Sequence, residues 1–110
     1  MKFTDLPLSQ KTLKALKESS YSMPTPVQSK TIPIVVEGQD VVVQAKTGSG
    51  KTLAFVLPLL ELLLKNDWTN LDGLGALVIT PTRELALQIF NVLRLVGKYH
   101  DFSAGLLIGI

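Results

Sequence analysis

Apolar residues recur at helical spacing in the amino-terminal part of the chain and predict two helices there. The first covers Ser9 to Ser19, with Leu13 and Leu16 on one face and lysines on another, as in a helix with one side in solvent. The second begins after Thr25, because Thr-Pro-Val-Gln supplies an N-cap, a first-turn proline and a glutamine at the third helical position. We expect Pro33 to kink or end this second helix.

Short apolar runs farther along the chain predict three strands, at residues 40–44, 76–80 and 105–110. The first helix between them extends from Lys51 to about Lys65 and is apolar on nearly all sides, so we expect it to be covered on most sides and bent at Pro58. The next helix is capped by Thr82 and extends to about Gly97, with apolar residues at helical spacing.

This alternation of strands and helices predicts an α/β fold with a parallel sheet and helices on both faces. Ligands of such sheets sit beyond the carboxyl ends of the strands. The loops that follow the first two strands should therefore open on the same edge of the sheet.

Composition limits the possible classes of protein. With 110 residues the chain is about one small domain long, which is short for a complete nucleotide-driven machine. Its net charge of +2 permits contact with nucleic acid without requiring it. The absence of cysteine and of a secretory signal favours an intracellular protein. The apolar stretch 53–64 is too short to cross a bilayer, so we expect no membrane partner. Hydrophobic residues make up 46% of the chain, which suggests that some apolar surface meets a neighbour.

The candidate chemistry lies in the sequence AKTGSGKT, Ala45 to Thr52, directly after the first predicted strand. Gly48 and Gly50 let successive main-chain N–H groups approach an anion. Lys51 supplies a positive charge for the β- and γ-phosphates, and the Thr52 hydroxyl is placed to ligate a phosphate-bound Mg²⁺. The following helix adds the positive end of its dipole. A plain glycine loop is the alternative, but it leaves the lysine and the threonine unexplained.

Two further motifs accompany this loop: YSMPTPVQ, Tyr21 to Gln28, before it, and PTRELA, Pro81 to Ala86, after it. In order and spacing the three resemble the Q motif, motif I and motif Ia of DEAD-box ATP-dependent RNA helicases. The resemblance covers essentially the whole chain. It implies a RecA-like P-loop NTPase fold, ATP and Mg²⁺ as cofactors, and ATP hydrolysis coupled to RNA unwinding or remodelling. Residues 1–38 would form the Q-motif region and residues 39–110 the first part of the ATP-binding domain.

The resemblance also implies roles for single residues. Gln28 would read the edge of adenine, for which its amide offers a donor beside an acceptor, while also forming a capping box with Thr25. Tyr21 would pack near the base. Lys51 and Thr52 would be the catalytic residues of this segment. The remaining candidates for nucleotide binding are Ala45, which stands where the usual loop has glycine, and Lys46, Thr47, Gly48, Ser49 and Gly50. Lys46 has alternatives in solvent or near RNA.

In motif Ia, the resemblance implies that Pro81, Thr82 and Arg83 hold an RNA backbone phosphate, with little sequence preference. Spacing alone leaves a second interpretation open. In that interpretation Thr82 is only an N-cap, and Arg83 is a surface charge paired with Glu84.

The chain departs from the family pattern in ways that affect function. Ser20 stands where the family has glycine, which should alter only a turn, and Gly109-Ile110 stands where it has a Gly-Gly pair that contacts RNA. The DEAD sequence, the SAT motif and the second RecA-like domain are not among these residues. Since phosphoryl transfer needs acidic residues to hold the metal and orient water, we expect an amino-terminal fragment that binds nucleotide weakly, if at all, and does not turn over ATP.

The sequence leaves two other functions open. One is another P-loop enzyme, such as a kinase or GTPase, and the other is a non-catalytic nucleotide- or RNA-binding module. Gln28 and PTRELA argue against the first. Outside the motifs, FTDLPLS and the segment around the second strand resemble the branch of the family concerned with ribosome biogenesis in the nucleolus.

Overall fold

The computed structural model describes residues 2–45 and 50–108, without the side chain of Asn70. The helices of the described residues are α1 (Gln10–Glu18), α2 (Pro26–Val36), α3 (Lys51–Lys65) and α4 (Arg83–Val96), with 3-10 turns at Phe3–Asp5 and Asn70–Asp72. All four predicted helices are confirmed, and their bounds differ little from those expected.

Hydroxyl side chains cap three of these helices, because the first N–H groups of a helix have no partner inside it. Ser9 accepts from the Thr12 amide at the start of α1, and Thr25 accepts from the Gln28 amide at the start of α2. Thr82 caps α4 in the same way. The N-caps predicted from the sequence at Thr25 and Thr82 are therefore confirmed.

The two internal prolines do not terminate their helices. Pro33 lies inside α2, which continues to Val36, so the expectation that the helix ends at this proline is wrong and the alternative, a kink, stays a prediction. Pro58 lies inside α3 and is buried. A proline removes only one main-chain donor and its i−4 bond, a loss that α2 and α3 tolerate because each packs against the other.

Ser20, which stands where the family pattern has glycine, lies just after the carboxyl end of α1. The φ angle of Ser20 is +65°, in the left-handed region where a Cβ is unfavourable. The amide of Tyr21 reaches back to the carbonyl of Leu16 at 3.0 Å and closes the turn. This arrangement is a helix end that normally uses glycine, so Ser20 changes the energy of the turn while keeping its form.

The core lies between the helices. α2 packs on α3, α3 on α4, and α1 on α4. The amino-terminal turn also contributes Phe3, which is buried. Apolar side chains of all four helices share this core: Leu16, Ile32, Leu53, Val56, Leu57, Leu60, Ile89 and Val96. α3 is buried on most of its surface, as its sequence predicts.

The predicted strands are not formed among the described residues. Segments 40–44, 76–80 and 105–108 have no strand assignment, and no main-chain hydrogen bond joins one of these segments to another among the described residues. A strand exists only as part of a hydrogen-bonded ladder. An apolar, β-branched sequence favours the extended form without supplying the partner, so the parallel sheet expected from the sequence stays a prediction.

Apolar side chains in these three segments are exposed, as expected for segments that do not pair with a neighbouring strand. Val42 is fully exposed, Ile79 is 85% exposed and Leu107 is 95% exposed. Such residues are normally covered when a sheet is complete on both faces. Separately, no helix among residues 2–45 and 50–108 is long and apolar enough to span a bilayer.

Candidate nucleotide and RNA site

Helix α3 begins directly after Gly50. Gly50 is its N-cap, with φ at +89° in the left-handed region, and no side chain caps this end of the helix among the described residues. The first N–H groups of α3 consequently have no partner inside the helix. A 15-residue helix with an uncapped amino end presents both donors and the positive end of its dipole.

Gln28 connects the start of α2 to this point. Its side chain is 3% exposed. Oε1 accepts from the main-chain amide of Thr25 at 3.0 Å, which completes the predicted capping box. Nε2 donates to the main-chain carbonyl of Gly50 at 3.1 Å. The same side chain thus fixes the beginning of two helices relative to each other.

Gly50 has little room for a side chain. A Cβ at this position would lie 2.4 Å from Nε2 of Gln28 and 3.0 Å from Oγ1 of Thr25. The positive φ angle favours glycine here, and a Cβ would also displace the Gln28 amide. Gly50 thus lies directly against the side chains of Gln28 and Thr25 at the start of α2.

The other predicted nucleotide residues fall into two groups. Lys46, Thr47, Gly48 and Ser49 lie outside the described residues. Of the rest, Ala45 and Thr52 are half-buried and Lys51 is exposed at the first position of α3, so its ammonium group is accessible to a ligand. Tyr21 is half-buried and packs against the core cluster.

The predicted RNA residues are at the start of α4. Pro81, Thr82 and Arg83 are exposed. The Thr82 hydroxyl accepts from the Leu85 amide at 3.1 Å, and the Thr80 hydroxyl donates to the Thr82 carbonyl at 2.9 Å. The capping interpretation of Thr82 is confirmed, and it leaves the hydroxyl proton available for a second bond.

Metal ligands are scarce in this region. No group of three or more histidine, cysteine or acidic side chains able to hold a metal occurs in the part of the chain that the structure describes.

A buried polar cluster, formed by Ser9, Thr12, Glu61 and His100, escaped the sequence analysis. Thr12 is fully buried, and Glu61 and His100 are each 7% exposed. The Thr12 hydroxyl lies 2.8 Å from Oε1 of Glu61 and 2.8 Å from Nε2 of His100. Ser9 donates to the same Glu61 oxygen at 3.1 Å. The sequence signal for this cluster was Glu61, the single acidic residue of the largely apolar helix α3. A buried charge of this kind needs polar partners.

A second, exposed contact joins the same two regions of the chain. The Tyr99 hydroxyl donates to Glu18 Oε1 at 2.6 Å, and the Lys98 ammonium lies 2.9 Å from the same oxygen. The hydrogen bond from Tyr99, followed by that from Lys98, holds the pKa of the Glu18 carboxyl below its usual value. Surface contacts of this kind contribute little to stability.

Comparisons with known proteins agree with the motif order. A family model described as DEAD/DEAH box helicase matches residues 25–109. The "Probable ATP-dependent RNA helicase DDX10" of Gallus gallus is 62% identical over 108 residues, which are 98% of this chain and 12% of that protein. The ATP-dependent RNA helicase dbp4 of Sclerotinia sclerotiorum is 59% identical over 107 residues, which are 97% of this chain and 13% of that protein.

A solved structure extends the similarity to three dimensions. The RNA-helicase Prp28 from Chaetomium thermophilum, bound to ADP, superposes with a TM-score of 0.84 at 37% identity, over 93% of this chain and 25% of that chain. The similarity confirms the RecA-like fold in outline. This chain spans only 12 to 13% of the length of the two curated relatives compared.

Proposed function

Because this chain belongs to the DEAD/DEAH box helicase family, we propose that it forms the ATP-binding part of the first RecA-like domain of an ATP-dependent RNA helicase. In this proposal residues 1–38 are the Q-motif region and residues 39–110 begin a parallel sheet that other strands complete. The observation that supports the proposal is the hydrogen bond to Gly50, at the end of the proposed phosphate loop, from Gln28, the residue proposed to read the base.

The side-chain amide of Gln28 has enough hydrogen-bond donors and acceptors to bind adenine as well as its partners in the protein. It uses one N–H and one lone pair for Gly50 and Thr25, and an amide has two of each. The remaining donor and acceptor match the N7 acceptor and the N6 donor of adenine. Guanine has the carbonyl oxygen O6 in place of the N6 donor, so the acceptor oxygen of Gln28 would face another acceptor. In this proposal Tyr21 packs near the base. We therefore expect the site to prefer ATP to GTP.

The phosphate end of the site combines charge and main-chain donors. Lys51 neutralises the outer phosphates, Gly50 and its loop neighbours 45–49 bring N–H groups to them, and Thr52 ligates Mg²⁺. When bound, magnesium supplies further neutralisation of charge that develops on the phosphates. The loop and helix thus bind and orient ATP, while the acidic residues needed to activate water are not among these 110 residues.

The start of α4 fits an RNA backbone. Arg83 at the first position of α4 and Thr82 at its cap place a guanidinium and a hydroxyl in one exposed place. Phosphate contacts of this type position RNA without reading its sequence. The remaining domain and the second RecA-like domain are further partners in this proposal. Ribosome biogenesis in the nucleolus is the setting we propose from the branch that the sequence resembles.

A hybrid helicase tests the proposal. The matching segment of the chicken relative is replaced by this chain, and ATP binding and RNA-stimulated ATP hydrolysis are measured. Lys51→Ala should weaken ATP binding at least about tenfold, since a charge-assisted contact contributes roughly 1.5–3 kcal/mol. Lys65→Ala, at the other end of α3, is the matched control and should leave binding unchanged.

The outcomes separate the rival functions. Equal binding of GTP and ATP would favour another class of P-loop enzyme. RNA binding without any nucleotide binding would favour a non-catalytic module. An unchanged ATP affinity in Lys51→Ala would contradict the proposed phosphate site.

A further inference from the structure

The buried polar cluster defines the position of a proton. The Thr12 hydroxyl has one proton, and it donates that proton to Glu61 Oε1 at 2.8 Å. Its oxygen must then accept from His100, whose Nε2 lies 2.8 Å away. Nε2 of His100 therefore carries a proton, which it donates to the Thr12 oxygen. Ser9 donates to the same Glu61 oxygen and completes the cluster.

The other ring nitrogen of His100 makes protonation unfavourable. Nδ1 is buried and has no hydrogen-bond partner among residues 2–45 and 50–108. In the neutral tautomer it is an unused acceptor. A second proton would turn it into a buried N–H group without an acceptor, which is more costly than an unused lone pair.

Charged groups around His100 act in both directions. Burial lowers the pKa of the imidazole, and this is the largest effect. Glu61 on α3 and Asp101 next to the ring raise that pKa, while Lys11 on α1 lowers it. Asp67, in the loop after α3, borders the same cavity as His100. The ring thus stays neutral in the closed cluster and gains a proton more easily once it reaches water.

The cluster joins three separate elements. Ser9 and Thr12 belong to the start of α1, Glu61 to the last part of α3, and His100 to the segment after α4. Lys51 begins the same α3 helix. A cavity bordered by Trp68 and Phe102 adjoins His100 and gives the ring a route to solvent.

We propose that Ser9, Thr12, Glu61 and His100 form an acid-released latch that fastens α1 to α3. At neutral pH the uncharged ring donates to Thr12 and the latch is closed. When His100 takes a second proton it leaves the cluster through the adjoining cavity, and Thr12 loses that contact. The exposed contact of Glu18 with Lys98 and Tyr99 lies at the other end of α1 and does not involve His100. This latch does not depend on the proposed nucleotide site.

Nuclear magnetic resonance of the 110-residue chain tests the latch, because His100 is its only histidine. The imidazole C–H signals should titrate below the ordinary pKa of about 6.5. Over the same pH range, the hydrogen-exchange protection factors of the α1 amides should fall, by at most about tenfold per pH unit for one proton. The protection factors of α2 amides should not follow this titration.

Variants separate the latch from a general loss of structure. His100→Gln keeps an N–H donor for Thr12 and cannot titrate, so α1 should be as protected at pH 5 as at pH 7. Glu61→Gln removes a charge that favours the protonated ring, so the His100 titration should move to lower pH. Glu37→Gln changes an exposed acid in the same way and should leave the titration unchanged.

The latch is wrong if His100 titrates at or above pH 6.5, or if α1 protection does not change across that titration. It is also wrong if His100→Gln loses protection in acid as the unmodified chain does. Should that variant fail to fold, the titration and exchange of the unmodified chain decide the question by themselves.

Discussion

Nε2 of Gln28 donates a hydrogen bond to the main-chain carbonyl of Gly50 at 3.1 Å, and this contact joins the start of α2 to the start of α3. The carbonyl also accepts from the Ala54 amide at 3.3 Å, as the first hydrogen bond of α3. One oxygen therefore serves both the helix and the connection between the two motifs.

Gly50→Ala should be more harmful than an alanine at another glycine with the same backbone angle. The new Cβ would lie 2.4 Å from Nε2 of Gln28, so that side chain must move and lose its bond. We expect a loss of about 2 kcal/mol or more in the free energy of unfolding, roughly half from the φ angle and half from the bond. Urea denaturation measures it.

Gly38→Ala is the matched control for this experiment. Its φ angle is +93°, and a Cβ there would meet nothing within 4 Å. It should show the cost of the backbone angle alone, about 1 kcal/mol. Equal losses in the two variants would contradict a role for Gln28 in holding Gly50.

Ser20→Gly should stabilise the chain. Ser20 has a φ angle of +65° at the end of α1, a conformation that costs a residue with a Cβ roughly 1 kcal/mol. Ser20→Ala keeps the Cβ and should give no such gain. Thermal denaturation of both variants measures the difference, and an equal effect of the two substitutions would rule out the backbone angle as the cause.

Much of this local structure could be predicted from residue order. The N-caps at Thr25 and Thr82, and the start of α3 directly after Gly50, follow from interactions between residues three or four apart. Pro33 was harder to interpret, because its effect depends on what packs against α2. The polar cluster could not be predicted, because Thr12 and His100 are 88 positions apart.

Thr82→Ala should destabilise α4. The Thr82 hydroxyl is the acceptor for the Leu85 amide at 3.1 Å, and loss of such a cap costs about 0.5–2 kcal/mol. Thr82→Ser retains the hydroxyl and should keep most of the stability. A chemical denaturation series gives both values, and a serine variant as unstable as the alanine variant would contradict the capping role.

Two carboxylates contact partners at opposite ends of α1, and their removal should have unequal effects. Glu61→Ala leaves Ser9 and Thr12 without their buried acceptor and should cost roughly 1–3 kcal/mol. Glu18→Ala removes an exposed contact with Lys98 and Tyr99 and should cause no measurable change. Urea denaturation measures the free energy of unfolding of both variants. Equal losses would contradict the expectation that burial makes the contacts of Glu61 more stabilising than those of Glu18.

The stability of the chain should depend on the protonation of His100. Burial lowers the pKa of the folded imidazole below its ordinary value of about 6.5. Above that pH both states are neutral and the contribution is fully present. As the pH falls from 6.5 towards the folded pKa, only the unfolded chain gains a proton, so the free energy of unfolding decreases by at most about 1.4 kcal/mol per pH unit.

The difference between the unmodified chain and His100→Gln isolates this effect, because the acidic residues titrate in both proteins. The difference in unfolding free energy should change between pH 7.5 and pH 5. A constant difference over that range would show that His100 is not buried in the neutral form.

The sequence by itself determined the helices, their caps and the order of the three motifs, because these depend on residues close together in the chain. It also favoured extended segments at 40–44 and 76–80, but it could not provide the ladder partners that turn such segments into strands. Only the tertiary structure placed Gln28 against Gly50 and brought Glu61 to Thr12 and His100. Those contacts depend on how the helices pack. A buried polar atom needs a hydrogen-bond partner, and the packing decides which distant residue lies close enough to be that partner.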